Sequence, residues 1–169
     1  MSQSLEEVDF DRSPCGLAQR GLAERLAAAV SSRERACERD SAGYAPLHYA
    51  ARGGHEACVR ILLAAGADPG ARTRAGAATP LHRAAWVGAL GCVNLLLESA
   101  AGGSALCLAV DDEGMTALHK ACQNNHLHVA ARLEQACAEA AEVVDARGRT
   151  PRDMLPAARG GGAPSEGHE

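Results

Sequence analysis

Apolar residues in this chain fall on narrow stripes at helical spacing, and the stripes recur in pairs. Leu47, Ala50 and Ala51 make one short face ended by Gly53-Gly54, and Val59, Leu62 and Leu63 make a second. Residues three or four apart share one side of a helix, so each pair predicts two amphipathic helices joined by a glycine turn. The same arrangement returns as Leu81, Ala84 and Ala85 before Gly88, then Val93, Leu96 and Leu97. A third copy places Leu118, Ala121 and Cys122 before Ala130 and Leu133.

A short polar motif precedes each pair: Ala45-Pro46-Leu47-His48, Thr79-Pro80-Leu81-His82 and Thr116-Ala117-Leu118-His119. The Leu-His steps are separated by 34 and 37 residues, a period that marks stacked repeats rather than a single globule. Proline suits the first turn of a helix, where its missing donor has no partner anyway. Asp40-Ser41-Ala42-Gly43 and Asp111-Asp112-Glu113-Gly114 read as turns ahead of the motif, and Gly66-Ala67-Asp68-Pro69 returns the chain. The turn Gly76-Ala77-Ala78-Thr79 has one residue more than Gly43-Tyr44-Ala45. The remaining excess behind the longer step is expected in a loop between 100 and 110.

Aligned on Ala18, Ala51, Ala85 and Cys122, the units show columns that neighbours should bury against each other: Leu26, Val59, Val93, Ala130, then Ala29, Leu62, Leu96, Leu133. A further column runs Val30, Leu63, Leu97 and then Glu134, so little should cover the stack after the fourth unit. Residues 12–40 form a degenerate first unit in which Pro14 and Gly16 predict a short or frayed helix. Residues 145–155 start a fifth unit that Pro156 cuts off, giving an atypical cap at each end. The acidic segment 1–11 offers Leu5 and Val8 as an apolar edge or stays mobile, and 156–169, rich in Gly, Pro and charge, is expected to be disordered.

An Asp-x-x-Gly-x-Thr-Pro-Leu-His turn, two small apolar residues, a glycine and a Val- and Leu-rich helix resemble the ankyrin-repeat pattern across residues 12–155. The resemblance implies an all-α solenoid of three full units between degenerate capping units, with turn or hairpin loops. It also implies a binding module for another protein, without catalysis, contacted through its concave inner helices and hairpin tips. Ala45 for threonine, Asn125 for glycine and the long 100–110 segment depart from the pattern.

Composition narrows the chemistry. Aromatic residues are 2% of the chain against 47% hydrophobic, so the core is built from Ala, Leu and Val. A net charge of −4 gives no reason to approach nucleic acid or an anionic membrane. No apolar run approaches a membrane span, and Met1–Glu7 does not read as a secretory signal. The chain is therefore expected in the cytoplasm or nucleus, as a monomer, with its seven cysteines reduced and no cofactor.

Three readings compete for the polar residues. His48, His82 and His119 sit in register but in successive units about 10 Å apart, too far to share one metal ion, and are expected to bond within their own turns. His126 and His128, two apart on a helix, diverge. Cys58, Cys92 and Cys122 read as small core residues, Cys15, Cys37, Cys107 and Cys137 are unplaced, and Asp111-Asp112-Glu113 reads as a solvated turn. The alternatives, a metal- or redox-dependent protein using His and Cys, or a nucleic-acid-associated regulator, have less support.

The predicted contact face gathers what the core does not need. It comprises Tyr44, Tyr49, Arg52, Arg83, Trp86, Val87, Met115, Lys120 and Gln123, holding the only Trp and both Tyr residues. Aromatics, Met and Arg are enriched at interface cores. The cations predict a partner segment with acidic residues beside an apolar anchor.

Overall fold

The computed structural model describes residues 10–99 and 103–156. The expectations for Leu5, Val8, the acidic segment up to Asp9 and the tail from 157 onward lie outside the described residues. Each full unit is a pair of antiparallel helices: α1 (Pro14–Gln19) with α2 (Ala23–Ala29), then α3 (Arg33–Ala36) as a connector. There follow α4 (Pro46–Gly53) with α5 (Glu56–Ala64), and α6 (Pro80–Val87) with α7 (Leu90–Glu98). After α8 (Gly103–Leu108) come α9 (Ala117–Gln123), α10 (Leu127–Ala136) and two 3₁₀ turns, Ala138–Ala141 and Pro151–Met154.

The helices begin and end where the sequence chemistry dictates. Thr79 and Thr116 cap α6 and α9 with hydroxyls that accept the His82 and His119 backbone N–H groups at 3.5 and 3.4 Å. Ala45 has no hydroxyl, and the His48 N–H instead donates to the Ala45 carbonyl at 2.9 Å. Gly88 ends α6 at φ 75°, where an added Cβ would also lie 2.6 Å from the His126 ring. In the fourth unit Asn125 takes the equivalent left-handed conformation at φ 58°, as asparagine can. Pro14 starts the first helix rather than breaking it, and that helix is short, with Ser13 as its cap.

Helices α1, α4, α6 and α9 line up as an inner row continued by the Pro151–Met154 turn, with α2, α5, α7 and α10 behind them. Most of the predicted columns form the core between the rows: Leu26, Val59, Val93, Leu62, Leu96 and Leu133 are fully buried and Ala130 nearly so, while Ala29 in the first unit is only half-buried. In the third column Val30 is buried in the core, whereas Leu63, Leu97 and Glu134 are only partly covered, so that column becomes a margin after the first unit. Glu134 faces Arg152 at 3.8 Å, where the cap turn ends the stack.

One expectation is corrected here. The excess before the fourth unit is not all loop: Gly103–Leu108 is helical and packs on α7, α9 and α10. It buries Leu106 and Cys107 to 5% and 1% exposure, because the segment supplies two apolar residues for the seam between units. Ala100 lies outside the described residues.

The hairpin tips share one bonding scheme. Asp40, Asp111 and Asp145 each donate their N–H to the carbonyl four residues on, at 2.9–3.0 Å. Their Oδ1 atoms accept the N–H of Tyr44, Met115 and Arg149 at 2.8–2.9 Å. The third tip starts with Thr73 and closes one residue later on Ala78, and the added residue, Ala77, has φ 47°. Neighbouring tips are tied by Arg39 to the Arg72 carbonyl at 2.6 Å and Arg72 to the Val110 carbonyl at 2.8 Å.

Candidate protein-binding surface

The histidines tie the inner row together. Each imidazole Nδ1 accepts from the backbone N–H of the cap residue: Ala45 at 3.2 Å, Thr79 at 3.3 Å and Thr116 at 3.1 Å. An accepting Nδ1 leaves the proton on Nε2, which must donate. His48 donates to the Ala71 and Ala78 carbonyls, His82 to Met115 at 2.8 Å and His119 to Arg149 at 3.1 Å. The in-turn bonds were expected, but the bond to the following unit was not. Burial drives the His48 and His82 pKa values down to about 4, keeping both rings neutral, and lowers that of His119.

The residue after each histidine points along the inner face, and its partner differs from unit to unit. Tyr49 donates to Asp40 Oδ2 at 2.6 Å, packs edge-on against Phe10 and lies tilted against Tyr44. Lys120 pairs with Asp111 at 2.8 Å and Glu113 at 3.1 Å. Burial alone would raise the Asp111 pKa, but Lys120 and the Met115 and Glu113 N–H groups together hold it below the ordinary carboxylate value. Arg83 has no such partner in its own tip, because Thr73 replaces the aspartate. It donates NH2 to Tyr44 Oη at 2.6 Å and lies 5.2 Å from that ring's centre. Its Nε is buried without an acceptor, a deficit of about 1–3 kcal/mol in general terms.

Arg83 and Lys120 border a groove of about 440 Å³ between the third and fourth units. Four of the predicted face residues line it, Arg83, Trp86, Lys120 and Gln123, together with His82 and the acid pair Asp111 and Glu113. Trp86 is 44% exposed, large for an aromatic side chain of this size. The sequence reading missed Asp111 and Glu113 as groove residues. The signal was present, since Asp40 and Asp111 each precede their unit's Tyr49 or Lys120 by nine residues.

Other members of the predicted face sit apart from the groove. Val87 is exposed beside Trp86, and Arg52 is exposed at the end of α4, but neither lines it. Tyr44 and Tyr49 are half-buried and occupied with each other, Phe10, Asp40 and Arg83. Met115 was expected as an exposed tip residue and is instead 5% exposed. It follows the turn glycine, and that position faces inward: Met115 binds Asp111 through its backbone and sits under Lys120, with Sδ 3.3 Å from Nζ. Lys120 is likewise not a free cation.

The remaining polar residues are accounted for by packing. His55, His126 and His128 bond the Gln19, Trp86 and Gly88 carbonyls at 3.1–3.2 Å, tying the outer row to the preceding unit. Asp111 is buried rather than solvated, while Asp112 and Glu113 are exposed. Cys15, Cys107 and Cys137 join Cys58, Cys92 and Cys122 as buried thiols, and Cys37 is half-buried with Sγ 3.8 Å from the Gly66 carbonyl. Burial pushes the Cys15 thiol up to about 12 and those of Cys92 and Cys107 up to about 11, far from nucleophilic thiolates. Among the described residues, no three His, Cys, Asp or Glu are grouped to hold a metal ion.

Comparison with known proteins agrees with this architecture. A family model described as "Ankyrin repeats (3 copies)" matches residues 16–107, more than half of the chain, and one described as "Ankyrin repeat" matches 113–146. The human protein named ankyrin repeat domain-containing protein 39 is 41% identical over 73 residues, 43% of this chain. The match spans 40% of that relative's length. With paired helices, hairpin tips and a Leu-His turn in register through three units, the chain belongs to the ankyrin-repeat family.

Proposed function

We propose that this chain is a non-catalytic adaptor that binds another protein through the groove over its third and fourth units. Ankyrin repeats generally mediate protein–protein interaction, and the observation that carries the reading here is Trp86. An aromatic side chain left 44% exposed beside a groove has the character of an interface anchor, and of the large apolar residues exposed on the described surface it alone lines that groove. Arg52 and Val87 extend the contact along the ends of α4 and α6, and Gln123 borders it on α9. The module acts as a monomer in the cytoplasm or nucleus, where reducing conditions suit its free thiols. The net charge of −4 speaks against nucleic acid.

Trp86→Ala tests the proposal. Partner recovery by affinity purification, followed by a titration with the recovered protein, should show binding weakened by about 2 kcal/mol or more, with helicity retained. Normal binding by a folded Trp86→Ala protein places the contact elsewhere.

A further inference from the structure

The third unit lacks a carboxylate that its neighbours possess, and a bound partner can supply it. Tyr49 and Lys120, at the position after the histidine, each take Oδ2 of the aspartate that opens their own hairpin. Arg83 holds the same position, but its hairpin opens with Thr73. That hydroxyl is already committed, donating to the Ala75 carbonyl and accepting the Ala78 N–H. Arg83 turns instead to the neutral Tyr44 hydroxyl, which leaves its charge unmatched and its Nε without an acceptor. Among the described residues no carboxylate forms an ion pair with it, whereas Lys120 has two.

We infer that the groove receives an Asp or Glu side chain from a linear segment of the partner on the Arg83 guanidinium, with an apolar side chain of that segment on Trp86. The inference rests on the protein-binding reading above. A guanidinium presents a planar fork that fits a carboxylate, and the Tyr44 hydroxyl and ring already hold one end of it. Arg83 and Trp86 are three apart on α6, so their side chains leave the helix about 5–6 Å from each other. Two residues of an extended segment span about 6.6 Å, which places the acid and the apolar residue at i and i+2. Asp111 and Glu113 border the same groove and oppose the second charge of a phosphate. The occupant is therefore a carboxylate.

The test uses the full chain with random heptapeptides displayed at the phage coat N-terminus, which presents no free peptide C-terminus. Wild type should enrich Asp or Glu two residues from an apolar residue. By fluorescence anisotropy, the amide twin of the best peptide should bind at least tenfold more weakly to wild type. The twins should differ by less than twofold on Arg83→Met. Thr73→Asp, which restores the carboxylate found in the other tips, should also shrink the difference, and it decides the matter if circular dichroism shows Arg83→Met unfolded. Enriched peptides without an acid, or an acid–amide difference that persists in the variants, overturn the carboxylate assignment and leave the groove reading standing. Tighter binding of a phosphoserine version overturns it as well. Peptides that bind Trp86→Ala as tightly as wild type overturn the groove reading itself, and failure to enrich any peptide counts against both.

Discussion

The second and fourth units settle their inner-face polar groups internally, and the third does not. In the second, the Asp40 carboxylate receives both the Tyr44 N–H and the Tyr49 hydroxyl; in the fourth, Asp111 receives two N–H groups and Lys120. The third has a threonine at that place, one residue more in its tip, a left-handed alanine, an incompletely bonded arginine and an exposed tryptophan. These features coincide in one unit although all four share the same helical frame. The buried frame is spread along the stack, while the proposed binding surface lies where one unit is left unsatisfied.

Substitutions that disturb this contrast should differ in size. The largest effect belongs to the frame common to all units: His82→Ala removes bonds at both ring nitrogens and leaves a cavity, costing about 3–4 kcal/mol in urea unfolding. Acid should act on the same residues. With folded pKa values near 4 for His48 and His82, the unfolded chain binds more protons as pH falls from about 6.5 to 4. Stability should be fully present above pH 6.5 and fall through that window, by roughly 3 kcal/mol per histidine, and a flat profile of unfolding midpoints over that range would count against neutral rings. Next, Asp111→Ala should cost about 3 kcal/mol by removing the buried partner of Lys120 and leaving two N–H groups unpaired, whereas Thr73→Ala, which removes no charge and leaves one N–H unpaired, should cost about 1 kcal/mol. Equal costs would erase the distinction between the units. Smallest is Ala77→Gly, expected to stabilise by about 0.5–1 kcal/mol, seen as a raised Tm, because glycine accepts φ 47° without strain.

Much of the frame was legible in the sequence. The recurrence of Leu-His, two small residues and a glycine predicts the paired helices, and the columns through Val59, Val93, Leu62 and Leu96 predict the core, because burial between like units forces like residues. The site was less legible. Met115 follows a turn glycine and looks like a tip residue, yet that position points inward, as Ala78 does in the third unit. Lys120 reads as a free cation until Asp111 is seen folding back over it, and the nine-residue offset that links them recurs only as Asp40 with Tyr49, whose bond is to a hydroxyl rather than a second charge. The Gly103–Leu108 helix was hidden for a similar reason: it belongs to one seam alone, so no repeat announces it.

The bonds of the inner-row histidines run the same way, from Nε2 of one unit to a carbonyl of the next. The stack is therefore vectorial. Losing the last turn would strand an imidazole donor in the fourth unit, whereas losing the first would strand no imidazole of this ladder, and buried donors tolerate solitude less well than acceptors. Unzipping should accordingly meet unequal resistance from its two ends, with the Arg149 carbonyl serving as the latch that closes the final imidazole.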